Sequence, residues 1–274
     1  MRKEQIGMGL ATFTLLAVGF LSACAPASAV APVSNLASGL PLCSVDIGSS
    51  TMFGMARALN DTFLGPYTLV ENGTMATFQG TRVDRSVQVV VGVWGGRQPE
   101  MTQILETFDP KCDVVAFGDG VLRNEVDDTN RTVEQIVADK VDFDAAATVR
   151  YPHLKEMTIA LAHQTNRNPA TEKVVEPRRA LIIGQLKDEI KKRFSHVTIW
   201  INSNQKGEIT NNPLAKSSYQ GVVNVWDSSE IASLKNGNET PLEDDGMHYK
   251  PWWLLQLDKV LEAFHRPAFV QTIP

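Results

Sequence analysis

Ser50 ends the run Gly48-Ser49-Ser50, a tight small-residue turn that closes a short apolar stretch near the start of the chain. Asp245 and His248 stand three positions apart much later, in Asp245-Gly246-Met247-His248, just before the last helix-like segment. These residue types supply a nucleophile, a base and a carboxylate to orient the base. A hydroxyl on a Gly/Ser turn between a strand and a helix is exposed and lies near a helix dipole, and an Asp and a His at this spacing share one loop. Together they describe a serine hydrolase. Taken singly, each has a plainer role. Ser50 caps the following helix, His248 is a loop histidine, and Asp245 is a turn residue beside Gly246, with Asp244 as a rival carboxylate.

The elements that must hold these residues follow from the apolar pattern. Ser44 to Ile47 reads as a short strand into the Gly48 turn, with a helix over Met52 to Leu59. Ser86 to Trp94 is a β-branched second strand. Gly95-Gly96 and a helix over Gln98 to Phe108 come next, and a third strand from Asp113 to Phe117 runs into Gly118. Thr132 to Ala147, Leu154 to Gln164 and Arg178 to Phe194 read as helices, with a polar loop from Thr165 to Pro177. Val197 to Asn202 and Val222 to Trp226 are the fourth and fifth strands, and Pro251 to Phe264 is a closing amphipathic helix. Continuous apolar strands between helices indicate a parallel sheet covered on both faces, a three-layer α/β/α fold. In such sheets ligands bind at the carboxyl ends of strands. Gly48-Ser49-Ser50, Gly95-Gly96, Gly118-Asp119-Gly120 and the Asp245–His248 loop can therefore meet on one edge.

The first residues belong to a different argument. Arg2 and Lys3 precede an uncharged, mostly apolar stretch from Ile6 to Phe20, too short and Gly-rich for a membrane span. It ends in Leu21-Ser22-Ala23-Cys24, which resembles the bacterial lipobox; a conventional secretory cleavage at Ala27-Ser28-Ala29 is the alternative. The lipobox implies a signal peptide over 1–23, a lipidated Cys24 and an exported protein held in the bacterial cell envelope. Ala25 to Pro41, rich in Ala, Pro and Ser, then forms a tether. Residues 42–274 are long enough for one domain, with 125–177 as an insertion whose role is open. The formal charge of −5 becomes about −6 without Arg2, Lys3 and Glu4, with both signs scattered, which argues against nucleic acid as a partner. Of the three cysteines, Cys43 and Cys112 remain if Cys24 carries lipid, an even pair in an oxidising compartment. His153, His163, His196 and His265 have no metal-ligand spacing, and neither a metal nor a cofactor is implied.

Four segments carry a resemblance to a family. VDIGSSTMFGMARAL, GVWGGRQPEMTQILETF, DVVAFGDGVLRN and DDGMHYKPWWLLQL follow the order of the four blocks of the SGNH (GDSL-type) hydrolases, and the chain from Leu42 on resembles that family throughout. The resemblance implies a flavodoxin-like sheet of five parallel strands in the order 2-1-3-4-5. It also implies Ser50, Asp245 and His248 as the catalytic residues. The backbone N–H groups of Ser50 and Gly95 become oxyanion donors. Gly120 stands where the family has its oxyanion-hole Asn, Ser49 where it has Asp, and Asn124 is a substitute donor within reach. In that strand order Cys43 and Cys112 precede neighbouring parallel strands, which implies a disulfide at the end opposite the chemistry.

The function so implied is a lipid-anchored serine esterase or deacylase. It would act on an acyl ester or acylated glycan, such as acetyl esters of envelope polysaccharide, by hydrolysis or by acyl transfer through an acyl-Ser intermediate. The alternative is a catalytically impaired surface lipoprotein of the same fold that binds glycan or a partner protein. Ser49 and Gly120 favour that alternative.

Overall fold

The structure is a computed structural model and describes residues 39–120, 130–161, 169–201, 220–224, 243–244 and 248–270, with backbone alone for 169–176 and 224. Cys24, Asn124 and Asp245 lie outside the described residues.

The first strand, β1 (Leu42–Gly48), is buried along its whole length because it is covered on both faces. Cys43, Val45 and Ile47 point into one core layer, while Leu42 belongs to a cluster on the other side, with Ser44 and Asp46 facing the same way by strand alternation. Helix α1 (Ser50–Asn60) follows directly. Next come β2 (Tyr67–Asn72), β3 (Met75–Thr81) and β4 (Val87–Val93), then α2 (Gln98–Thr107), β5 (Asp113–Gly120) and α3 (Val133–Arg150). The chain continues through β6 (Glu156–Leu161), α4 (Pro169–Arg193), β7 (Val197–Ile201) and β8 (Val223–Asn224), and the described part ends in α5 (Pro251–Val270).

Among the described residues these strands form one sheet in the order β2-β3-β4-β1-β5-β6-β7-β8. From β4 to β8 every pairing is parallel, and β2 and β3 add an antiparallel edge beside β4. The expected 2-1-3-4-5 order and the three layers therefore hold, but the sheet has eight strands rather than five. Two stretches account for the three additional strands. Glu156–Leu161 lies inside the segment expected as a helix from Leu154 to Gln164. It is buried on both faces, and such a strand has a continuous apolar pattern that periodicity does not separate from a buried helix. The β2–β3 hairpin turns through the two-residue loop Gly73-Thr74, with Gly73 at φ +59 in the first loop position, the Gly-X signal of a tight hairpin. Residues 133–161 are thus part of the central fold and not an inserted loop. The polar loop expected from Thr165 to Pro177 is helical from Pro169 on.

Two apolar layers sandwich the sheet. On one face α2, α3 and α4 contribute Met101, Leu105, Ile136, Val141, Ile183 and Ile190. On the other, α1 and α5 contribute Met52, Met55, Leu59, Trp253, Leu257 and Leu261. Trp253 is buried there, so this tryptophan packs the last helix. α1 lies against β4 because Gly92 has no side chain: a methyl group at that position would sit 1.9 Å from the Phe53 backbone nitrogen. Cys43 and Cys112 form a disulfide with a Cα separation of 5.9 Å at the amino end of β1, as the strand order implied.

Candidate active site

Ser50 is the first residue of α1, and Ser49 occupies the capping position without a side-chain capping hydrogen bond. The first helical bond runs from the Phe53 N–H to the Ser49 carbonyl at 3.0 Å. The N–H groups of Ser50, Thr51 and Met52 precede it and have no partner within the helix, so the Ser50 hydroxyl sits at the positive end of α1. Helix capping is therefore not the role of the Ser50 side chain.

At the end of β4 the chain reaches Trp94, whose N–H donates to the Thr74 carbonyl of the β2–β3 turn at 2.7 Å. Gly95 follows with φ +71, a left-handed conformation that glycine adopts without strain, and turns the chain toward α2. His248 arrives from the other end of the sequence. The Glu243 N–H donates to the His248 carbonyl at 2.8 Å. Lys250 then accepts from Trp253 and Leu254 as α5 begins.

These three chain segments enclose a cleft of about 190 Å³ lined by Ser50, Thr51, Gly54, Trp94, Glu243, His248, Tyr249 and Leu254. The structure thus brings Ser50 and His248 to one cavity at the carboxyl ends of β1 and β4, beside the point where the strand order reverses. Gly95 adjoins the lining through Trp94 but is not part of it. Trp94 and Glu243 were not among the residues singled out from the sequence. A tryptophan ending an apolar strand before Gly-Gly was the available signal for the first. A loop glutamate offers none.

The third segment of the expected site differs from a turn. Gly118-Asp119-Gly120 continues β5, pairing Asp46 with Gly118 and Gly48 with Gly120. Side chains therefore alternate there. Asp119 points to the α3 face, where it is bonded to the buried Lys140 ammonium and lies beside Asp144. Burial, reinforced by the Asp119 charge, holds the Asp144 carboxyl well above the usual carboxylate range. Asp119 thus contributes no charge to the cleft. Gly120 faces α1, where a methyl group would lie 2.8 Å from Met52 Cε.

A second polar cluster lies under α5. Thr158 Oγ1 is 3.2 Å from His265 Nε2, which is 3.7 Å from Asp46 Oδ1. Arg82 donates to Gln88 Oε1 at 2.7 Å and to Glu262 Oε2 at 2.8 Å, and Gln88 donates to Asp258. Burial, with Asp258 nearby, pushes the Asp46 carboxyl up to about 8, against the pull of Arg82. Burial, and then the Arg82 charge, brings the His265 imidazole down to about 3. Both groups are neutral near neutral pH. A hydroxyl, an imidazole and a carboxyl meet here too, but Asp46 is 1% and His265 2% exposed, so no substrate reaches them. His153 lies 3.5 Å from Asp113 and His196 3.9 Å from Glu156 at the surface. Among the described residues no group of His, Cys, Asp and Glu is placed to hold a metal ion.

No family model and no curated protein matches the sequence. Among solved structures, the chain is similar to a candidate acylhydrolase from Bacteroides fragilis at 10% identity and a TM-score of 0.47, covering 84% of this chain and 93% of that one. A carbohydrate esterase family 3 protein from Talaromyces cellulolyticus has 13% identity and a TM-score of 0.41, with coverages of 82% and 99%. A peptidoglycan O-acetylesterase has 11% identity and a TM-score of 0.40, with coverages of 84% and 92%. At these scores the likenesses bear on neither fold nor function. The fold rests on the strand order, and the reading of the cleft on its residues.

Proposed function

We propose that the chain is a serine esterase or deacylase that works through an acyl-Ser50 intermediate. One observation carries this reading: Ser50, at the start of α1, and His248, from the distant C-terminal loop, line the same cleft at the carboxyl edge of the sheet. In the first step the Ser50 oxygen attacks the ester carbonyl while His248 takes the hydroxyl proton. The proton passes to the departing alcohol oxygen as the ester C–O bond breaks. Water, or an acceptor hydroxyl in the transfer variant, then attacks the acyl-Ser50 carbonyl as His248 again accepts and returns a proton. Asp245 orients the imidazole. The oxyanion is met by backbone N–H groups at the start of α1 and at Gly95, with no side-chain donor from position 120. The small cleft suits a short acyl group, in keeping with acetyl esters of envelope polysaccharide.

The reading extends to location. Residues 1–23 are proposed as a signal peptide, Cys24 as the lipidated residue and 24–41 as the tether of the 42–274 domain. The Cys43–Cys112 disulfide supports an oxidising compartment. Cys24→Ser should release the protein from the membrane fraction.

A fluorophosphonate probe tests the chemistry. The purified protein should be labelled, and Ser50→Ala and His248→Ala should abolish labelling; labelling independent of Ser50, or none, overturns the esterase reading. The second reading, a non-catalytic binder of glycan or a partner protein, is favoured by Met52 filling the space beside Gly120. It expects saturable glycan or protein binding with no probe adduct.

A further inference from the structure

We infer that Trp94 is a positioning residue for His248, holding the imidazole in the orientation that proton transfer from Ser50 requires. The inference rests on the esterase reading of this cleft. The Trp94 and His248 rings are stacked, with centroids 4.2 Å apart and planes inclined by 25°. This contact joins two parts of the chain far apart in sequence, since Trp94 directly follows β4 and His248 comes shortly before α5.

The indole is itself fixed. Its backbone N–H is bonded to Thr74 O, and its ring meets Phe53 of α1 edge-to-face at 5.6 Å. Phe53 in turn has the Arg57 guanidinium over its ring at 5.8 Å, and Arg57 is paired with Glu71 of β2 at 3.0 Å. A series of contacts therefore runs from the edge hairpin through α1 to the imidazole. Helix α1 also carries Ser50, so the nucleophile and the Phe53 ring against which the indole packs belong to one helix.

Trp94 remains 47% exposed although it is large and apolar. A tryptophan that served only the core would be covered. Its position in the lining of the cleft, against the imidazole, accounts for the exposure. The aromatic face also attracts a protonated ring more strongly than a neutral one. The stack therefore strengthens while His248 holds the Ser50 proton, and this favours the transition state over the ground state.

The test uses the full-length protein with an activated acetyl ester. Trp94→Ala should lower kcat about tenfold with KM within about twofold, the scale of one ring–cation contact. Trp94→Phe, which keeps an aromatic face, should retain most of kcat. A second readout needs no turnover. The wild-type minus Trp94→Phe difference isolates the Trp94 emission, and His248→Gln should change its intensity, since the ring in contact with the indole is removed. Unchanged kcat in Trp94→Ala, a loss confined to KM, or emission indifferent to His248 overturns the inference and leaves the esterase reading standing. Absence of Ser50-dependent turnover in the wild-type protein overturns both.

Discussion

Met52 occupies the space that a side chain on Gly120 would enter. A methyl group built on Gly120 lies 2.8 Å from Met52 Cε and 2.9 Å from Met52 Cγ, and one built on the facing Gly48 lies 2.6 Å from Met52 Cγ. Two glycines on neighbouring strands thus form a shallow seat for the first turn of α1, and the helix start rests where a side-chain oxyanion donor would otherwise stand.

Restoring that donor by Gly120→Asn should therefore fail. The variant should be less stable by about 1–3 kcal/mol, the cost of overpacking a filled site, and no faster on an activated ester. Combined with Met52→Ala it should be less destabilised than the sum of the single changes, because the two residues compete for one space. Denaturant melts of the four proteins read the coupling; strict additivity would place the introduced amide side chain elsewhere.

The buried cluster beneath α5 sets a pH dependence of stability. The folded Asp46 carboxyl keeps its proton up to about 8, while the unfolded chain loses it near 3.8. Between those limits the folded state binds the extra proton, so stability falls as pH rises, by up to about 1.4 kcal/mol per unit. His265 acts in the opposite sense. Its folded form stays neutral down to about 3 while the unfolded ring gains a proton below 6.5, so stability falls as pH drops through that interval. Below 6.5 the two slopes oppose each other, and from 6.5 to about 8 the Asp46 slope acts without that opposition. Asp46→Asn should flatten urea-unfolding stability between pH 6.5 and 8; a slope equal to that of the wild-type protein would count against the protonated carboxyl.

The proposed mechanism assigns the orienting of His248 to Asp245, with Asp244 its rival in sequence, and the cleft lining adds Glu243 as a further candidate. Glu243 lines the cleft and its N–H is bonded to the His248 carbonyl at 2.8 Å, while Asp245 has the sequence spacing of an orienting residue. That backbone bond survives loss of the Glu243 charge. Asp245→Asn should reduce kcat on the order of a thousandfold or more, the effect of a wrongly held imidazole. Glu243→Gln should change it less than about fivefold. Steady-state rates of the two variants decide, and the reverse ranking would assign the orienting role to Glu243.

The Cys43–Cys112 bridge lies at the amino end of β1, and Ser50 follows its carboxyl end. Its removal by a Cys43→Ser, Cys112→Ser double variant should cost about 2–5 kcal/mol of stability. At temperatures where the variant stays folded, the rate of Ser50 labelling should be unchanged within about twofold. A large rate loss in the folded variant would show that strain crosses the sheet.

Local signals were enough for much of the architecture. Val87–Val93 and Val197–Ile201 are β-branched runs whose burial is written in their composition, and α1, α2 and α5 carry helical apolar spacing beside turn residues. Glu156–Leu161 carries no strand signal because burial on both faces erases the alternation that marks a strand. The residue types of Gly118-Asp119-Gly120 favour a turn, whereas pairing with β1 extends the segment as strand.

The sequence by itself determined the residue types available for chemistry, their order at strand ends, and a mostly parallel sheet covered on both faces; the strand order that makes Cys43 and Cys112 neighbours was only what the family resemblance implied. Tertiary structure alone decided which groups meet. It put Ser50 and His248 in one cleft, stacked Trp94 on the imidazole, turned Asp119 toward Lys140 and seated Met52 on Gly48 and Gly120. The reason is one of range. Periodicity and turn chemistry act over a few residues and are written in local sequence. The direction of a side chain and the occupant of the space before it depend on register and packing between segments far apart in the chain.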